Sequence, residues 1–242
     1  MKLPYQKSLF LNLGIAALLL GTAGVSRAQS VLYSARGANA STQAVFDYAQ
    51  QLTLNGPNTS YSLSAMTFGI NIADPNTGFA LFLDFYTGAN LSPTATNALA
   101  SATFIKELGF DIAAGTVATA GSYNFTLTFP AFMVPSNTFT IAAALTTEDG
   151  SAYTTTDVAN SRYSLSAPTT GTSPGFVWAD TNLDGVFAGS EQTTFGGTVA
   201  NIRMDVTAAA QVPEPSTTAA FALGLVLLGA WQFRRRRVSA AA

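Results

Sequence analysis

The feature that most constrains the fold of this chain is an alternation of apolar and polar residues with a period of two. Residues 123–129 and 138–145 place aromatic or aliphatic side chains at every second position, with Thr, Asn or Ala between them. Successive side chains of a β-strand point to opposite faces, so this period indicates strands with one buried face. Pro130 is expected to end the first of them. Residues 61–72 show the same period, and Gly69 lies where a bulge would shift the alternation.

Other segments indicate the same class of fold. The run FALFLDFY at residues 79–86 is almost continuously apolar and short, which favours a strand buried on both faces, at the centre of a sheet. Asp84 within this run needs a partner or a cation unless it faces solvent. Residues 99–114 are interpreted as strand, and residues 45–54 suit either a strand or a short helix. Shorter strands are predicted at residues 176–179 and 199–206. Regular turn signals and few helix caps then predict an all-β fold, a β-sandwich with the jelly roll as one possible form.

The first 28 residues have the pattern of a secretory signal peptide. Two lysines precede an apolar stretch at residues 9–20, and small residues at 26 and 28 suit cleavage before Gln29. An apolar stretch of this length is too short to span a bilayer comfortably, since a spanning helix needs about 20 residues. Residues 1–28 are therefore predicted to be removed, and the folded domain is predicted to occupy residues 29–211.

Residues 212–237 contain three features in a fixed order. A Pro-Glu-Pro-Ser element comes first, and its prolines predict an extended, exposed joint because they fix φ and remove backbone donors. Residues 217–233 carry no charge, and at ~1.5 Å per residue they reach ~25 Å, the short end of what spans a hydrocarbon core of ~30 Å. Four arginines follow and are expected to stay on the cytoplasmic side of the inner membrane. The motif residues are Pro213, Glu214, Pro215, Ser216, Arg234, Arg235, Arg236 and Arg237.

This order of features resembles the PEP-CTERM sorting signal of exported proteins from Gram-negative bacteria that make extracellular polysaccharide. The resemblance implies that an exosortase, a membrane-embedded cysteine transpeptidase, recognises the tail, cuts near the Pro-Glu-Pro element and passes the protein on. The implied destination is the cell surface, the outer membrane or the extracellular matrix. The alternative is a permanent single-span anchor with a proline-rich stalk, because an anchor also needs an apolar span and a basic stop.

The charge and composition of the predicted domain exclude several functions. Residues 29–211 contain four basic residues against twelve carboxylates, a formal charge of −8. Four scattered cations cannot neutralise a run of phosphates, so no nucleic-acid partner is expected. The sequence has no histidine and no cysteine, which excludes Ser-His-Asp triads, thiol nucleophiles and histidine-based metal sites. A glycosidase-like carboxylate pair stays open, but no pair stands out, and the chain is expected not to be an enzyme.

Residues 180–191 read DTNLDGVFAGSE and fit the template of a calcium-binding loop. Oxygen ligands fall at positions one, three, five, seven and twelve, and a glycine supplies the sharp turn at position six. The predicted ligands of Ca²⁺ are Asp180, Asn182, Asp184, the backbone carbonyl of Val186, and Glu191. Three carboxylates on one loop would repel one another without a cation. The flanking residues do not resemble the helices of an EF-hand, and the alternative is an Asp-Gly turn between strands with an incidental glutamate.

Two functional hypotheses follow from these observations. The first is a non-catalytic structural or adhesive protein of the cell surface or extracellular matrix, with a calcium-stabilised loop. The second is a carbohydrate-binding module that acts on extracellular polysaccharide and stacks Trp178, Tyr153 or Tyr163 on sugar rings. The alternative role for these aromatic residues is packing in the core or in turns.

Overall fold

The computed structural model describes residues 29–37, 40–43, 45–57 and 60–210, which form two packed antiparallel β-sheets. The all-β sandwich predicted from the alternation is therefore confirmed. The strands are β1 (Ser30–Ser34), β2 (Ala40–Gln43), β3 (Asp47–Thr53), β4 (Tyr61–Ile72), β5 (Phe79–Thr87), β6 (Thr103–Ile112), β7 (Gly121–Val134), β8 (Thr138–Thr147), β9 (Ala159–Ser164), β10 (Val177–Ala179), β11 (Gln192–Thr193), β12 (Asn201–Ile202) and β13 (Met204–Ala210). A short 3-10 helix, η1, covers Gly189–Glu191.

Both terminal segments fall outside the described residues. These are the predicted signal peptide at residues 1–28 and the predicted sorting tail at residues 212–237 with its apolar run at 217–233. Within the ranges that the structure describes, no helix has the length and apolar character needed to cross a membrane.

The first sheet is built around β4, which pairs with β7 along one side and with β13 and then β9 along the other. Strand β1 extends the sheet beyond β13, and β2 and β12 pair with β9. The strand predicted at residues 61–72 is confirmed with the same bounds. The predicted strand at 199–206 is two strands, β12 and β13, separated at Arg203.

The second sheet has the strand order β11, β10, β3, β8, β5, β6. The FALFLDFY segment forms β5 as predicted, but β5 lies next to the edge strand β6 rather than at the centre. Phe79, Leu81, Leu83 and Phe85 of this strand are buried between the sheets. The alternate residues Phe82, Asp84 and Tyr86 are only half-buried on the outer face, because side chains alternate along a strand. The prediction that this strand is buried on both faces is therefore wrong for its outer face.

The core lies between the two sheets and consists of apolar side chains from alternate positions of both. Its largest fully buried members include Phe68 and Tyr61 from β4, Phe85 from β5 and Phe139 from β8. Burying one such side chain contributes about 1.5–3 kcal/mol. The sequence has no cysteine, so this packing and the strand pairing stabilise the sandwich without disulfides.

Two local predictions on the first sheet are wrong. The register between β4 and β7 is regular across Gly69, and the irregularity lies between Leu63 and Ala65. Gly69 has a different role, since a Cβ there would stand 2.9 Å from Cδ of Arg203. Strand β7 does not end at Pro130. This proline lies in the bulged part of β7, which is an edge strand, opposite the irregularity in β4. Its missing N–H therefore breaks no hydrogen bond between the two strands.

Candidate functional site

Two loops cover part of the outer face of the second sheet. One joins β5 to β6 (residues 88–102), and the other follows β10 (residues 180–191). They are joined by backbone hydrogen bonds from the amide of Ala98 to the carbonyl of Phe187, at 2.7 Å, and from the amide of Gly189 to the carbonyl of Ala95, at 2.7 Å. A Cβ at position 189 would clash with the backbone of Ser92 and Pro93, so only glycine permits this approach. The two loops therefore form one roof.

A small apolar cluster fixes this roof to the sheet. Trp178 is fully buried and packs with Phe187, Ala49, Ala98 and Ala142, apart from the main core. Tyr163 is also fully buried, in the main core. Neither ring is accessible to a sugar, so the hypothesis that Trp178 or Tyr163 stacks on a carbohydrate is wrong. Their alternative role, packing, is the one the structure gives them.

Beside this cluster lies a cleft of about 360 Å³. Its floor is strand β8 at Ala142 and Ala144, and the roof loops contribute Asn97, Leu99, Gly185 and Phe187. Strand β3 contributes Asp47 on one side, and strand β5 contributes Phe82, Asp84 and Tyr86 on the other.

The sheet register explains why a cleft exists at this place. Ala144 of β8 stands between Asp47 of β3 and Phe82 of β5, and Ala142 stands beside Asp84. The middle strand therefore carries methyl groups where its neighbours carry longer side chains. A shallow trough between β3 and β5 results, and the roof loops close it on one side.

Asp47 is the more buried of the two cleft carboxylates. Only 8% of the residue is exposed, and its Oδ2 accepts a 2.7 Å hydrogen bond from the hydroxyl of Tyr153. Burial raises the pKa of Asp47 to about 6, and the carboxylates of Asp180, Asp84 and Glu191 add to this rise, which the hydrogen bond from Tyr153 partly offsets. Burial and the charge of Asp47 also raise the pKa of Tyr153, which therefore stays protonated and donates.

Asp84 faces the cleft from the opposite side. It stands directly across from Glu107 of β6, and like charges in opposed positions destabilise a sheet. Burial, then the charge of Glu107, raise the pKa of Asp84. The hydroxyl of Tyr86 lies 3.4 Å from its Oδ2, while its Oδ1 is buried and has no hydrogen-bond partner among the described residues. The expectation that Asp84 needs a partner or a cation therefore applies to this oxygen.

The loop that follows β10 is folded around the carboxylate of Asp180, which is 1% exposed. Its Oδ1 accepts from the amides of Leu183, at 2.6 Å, and Asp184, at 3.3 Å, and its Oδ2 accepts from the amide of Gly185, at 2.7 Å. Leu183 and Gly185 have φ values of 59° and 75°, in the left-handed region. This conformation turns three backbone donors toward one carboxylate.

The structure brings together some of the predicted calcium ligands. Asp180, Asn182 and Asp184 share this turn, and Nδ2 of Asn182 donates to Oδ2 of Asp184 at 3.1 Å. The amide of Val186 donates to Oδ1 of Asp184 at 2.9 Å. Glu191 is engaged elsewhere, since its Oε2 accepts from the amide of Ala188 at the start of η1, at 2.9 Å. Across the described part of the chain, no three acidic side chains are grouped closely enough to hold a metal ion. The predicted ligand set is therefore only partly assembled.

Several residues of the cleft cannot be identified from the sequence. Asp47 and Tyr153 lie 106 positions apart, and no local pattern connects them. Asp84 is the one cleft residue that the sequence marks as unusual, because it is an acidic residue inside an apolar strand. The rest of the cleft depends on which strands flank β8, and that order is a property of the folded sheet.

The comparison with protein families gives one match, which covers the C-terminal tail. Residues 211–237 match the family model of the PEP-CTERM protein-sorting motif, which confirms the resemblance seen at 212–237. No curated protein and no solved structure was found to match the chain. The matched motif implies an interaction with an exosortase during sorting, export through the membrane, and a surface or extracellular destination.

Proposed function

We propose that this chain, which carries a PEP-CTERM protein-sorting motif, is a non-catalytic protein of the cell surface or extracellular matrix. The match at residues 211–237 is the observation that carries the proposal. The exported part is an acidic β-sandwich with a formal charge of −8 over residues 29–211. Export and sorting require the two terminal segments, and the sandwich is the part that reaches the destination.

A non-catalytic role is supported by the side chains available for chemistry. The chain has no histidine and no cysteine, and among the residues lining the cleft the ionisable groups are two aspartates and one tyrosine. Asp47 is already bonded to Tyr153 and Asp84 stands on a different strand, across β8. Hydrolysis of a polysaccharide by the purified protein, lost in Asp47→Asn and Asp84→Asn, would contradict this part of the proposal.

The sorting part is tested by following the protein in its host with and without the exosortase. In the wild-type host, the sandwich should be found at the surface or in the matrix. In a strain that lacks the exosortase, the full chain should accumulate in the inner membrane, because residues 217–233 hold it there. Equal surface delivery in both strains would contradict sorting by this enzyme.

We also propose that the loop at residues 180–191 binds Ca²⁺. Support comes from the oxygen-bearing side chains of Asp180, Asn182 and Asp184, which lie on one turn. Binding would then draw Glu191 from the amide of Ala188 to the ion, since a calcium loop closes its shell with a glutamate at position twelve.

Calcium binding is tested by the melting temperature of the processed protein with and without millimolar Ca²⁺. Isolated calcium loops of extracellular modules bind at ~10⁻⁴ to 10⁻³ M, so the melting temperature should rise in this range. Glu191→Gln and Asp184→Asn should remove the rise while they keep an acceptor for the local amides. Asp111→Asn, an exposed change on β6, serves as the control and should keep it. An unchanged melting curve of the wild type at millimolar Ca²⁺ would refute the site.

Binding of extracellular polysaccharide is the alternative function. The observation that favours it is the cleft, where Phe82 and Tyr86 are half-buried and border an open space, unlike Trp178. Pull-down of the processed protein on the host polysaccharide should then be lost in Tyr86→Ala. A pull-down that the variant leaves unchanged would exclude the cleft as the sugar site.

A further inference from the structure

We propose that the cleft between β3 and β5 binds an organic cation that carries a protonated amino group. The ligand would lie on the alanine floor of β8, between Asp47 and Asp84, under the roof loops. This inference concerns the sandwich alone and does not depend on how the tail is sorted.

The charge around the cleft is unbalanced. The ion pair recorded in the described residues joins Arg36 to Asp205, which lies on the first sheet. In the part of the chain that the structure describes, Asp47 and Asp84 thus have no basic partner. Glu107 stands directly opposite Asp84 and adds a further like charge. A bound cation would offset this repulsion, because an opposite charge within ~4–6 Å favours the ionised carboxylate.

One carboxylate oxygen of the cleft lacks a hydrogen-bond donor. Oδ1 of Asp84 is buried and has no hydrogen-bond partner among the described residues. Buried polar atoms of native proteins are almost always paired, and an exception needs an explanation. An ammonium group has three donors and no acceptor, so it suits the carboxylate at either side of the cleft. A ligand that offers only acceptors fits neither side chain.

The size and the lining residues of the cleft suit a small organic molecule. Its volume of about 360 Å³ falls within the usual range of ~300–1,000 Å³ for small-molecule sites, and far exceeds the space that a metal ion needs. No group of three acidic side chains in the described residues is close enough to hold a metal ion. The rings of Phe82, Tyr86 and Phe187 line the space, and aromatic faces attract organic cations. An organic amine suits the acidic charge of the cleft, its need for a hydrogen-bond donor, and its volume with aromatic lining residues.

Calorimetric titration of the processed protein at about pH 7 and about 0.15 M salt tests the proposal, since putrescine is fully and glucosamine mostly protonated and weak surface attraction is screened there. The probes are putrescine and glucosamine, with glucose and N-acetylglucosamine as neutral counterparts. We expect saturable binding of at least one amine, and binding of the neutral sugars at least about tenfold weaker. Binding of putrescine alone would identify a polyamine as the source of the amino group, and binding of glucosamine alone would identify an amino sugar.

Substitutions then locate the site. Asp84→Asn and the double variant with Asp47→Asn should weaken amine binding by about tenfold or more, because the amide keeps the shape and removes the charge. Asp111→Asn removes an exposed charge on β6, outside the cleft lining, and should leave binding unchanged. Circular dichroism checks that each variant is folded. The proposal is wrong if the folded wild type binds neither amine, if glucose binds as well as glucosamine, or if the double variant keeps full affinity.

Discussion

At the scale of single residues, the carboxylate of Asp180 organises the loop after β10. It is almost fully buried and accepts hydrogen bonds from three backbone amides. Removing such an acceptor leaves these backbone donors without their partner, at a cost of about 1–3 kcal/mol for each group that water cannot reach. The turn therefore depends on this side chain whether or not an ion is bound.

Asp180→Ala is expected to lower the free energy of unfolding by about 2–4 kcal/mol, because several amides lose one acceptor together. Asp180→Asn keeps one acceptor oxygen and should lose less. Urea unfolding of the processed protein in the presence of a chelator measures both values without a contribution from metal. Asp184→Ala, an exposed change in the same loop, is the comparison and should have the smaller effect. Equal effects of Asp180→Ala and Asp184→Ala would show that the buried carboxylate does not hold the turn.

Asp47 gives the protein an unusual dependence on pH. Its pKa is raised to about 6 in the fold by burial, whereas an exposed aspartate titrates near 3.9. Between these values the folded state keeps a proton that the unfolded state has lost, so the free energy of unfolding falls as pH rises from about 4 to about 6. The raised pKa of Asp84 acts in the same direction. Asp149, with a pKa lowered to about 2, acts in the opposite direction and at lower pH.

Unfolding titrations between about pH 4 and about pH 7 should therefore show a decline in stability. Asp47 contributes at most about 3 kcal/mol to it, since one pKa unit corresponds to about 1.4 kcal/mol. Asp47→Asn should flatten the curve, because the amide does not titrate and still accepts from Tyr153. A wild-type stability that rises steadily through this window would contradict the burial of an ionisable Asp47.

At the scale of elements, the roof of the cleft depends on the contact between two loops. Gly189 lies against the backbone of Ser92 and Pro93, which cannot move aside as a flexible side chain would. Gly189→Ala is expected to destabilise the fold by about 1–3 kcal/mol, as overpacking does, and to separate the loops. Ser190→Ala changes the exposed neighbour and should be close to neutral. Thermal melting of both variants is the measurement, and a neutral Gly189→Ala would show that the loops do not meet here.

The strands could be predicted from the sequence where one face is buried and the other solvated. Residues 61–72 and 123–129 are such cases, because the period of two reports burial directly. The bulge in β4 was misplaced at Gly69, since a glycine marks bulges and close contacts alike, and here the contact with Arg203 explains it.

The cleft could not be predicted in the same way. It requires β8 to lie between β3 and β5, and sequence patterns do not give strand order. Asp84 was recognised as unusual, but its neighbours Asp47 and Glu107 are brought to it by the sheet. The loop at 180–191 was located from its residue types, whereas the hydrogen bond that engages Glu191 depends on η1. The sequence thus predicts which residues are unusual, and the fold decides which of them meet.

At the scale of the whole molecule, the sorting motif and the cleft lie in different parts of the chain. The sorting motif at residues 211–237 decides where the protein goes, and the sandwich carries the acidic cleft. The described residues of the two sheets form the core, and we expect cleavage near the Pro-Glu-Pro element to leave the cleft unchanged. Sorting and ligand binding can therefore be tested on separate variants.

The central claim is that the tail is a processed sorting signal rather than a permanent anchor. Intact-mass analysis of the protein isolated from an exosortase-containing host tests it most directly. We predict a chain that begins near Gln29 and lacks Arg234, Arg235, Arg236 and Arg237 together with most of residues 217–233. A chain that extends to Ala242 and remains in the inner membrane of that host would contradict the claim and establish the single-span anchor.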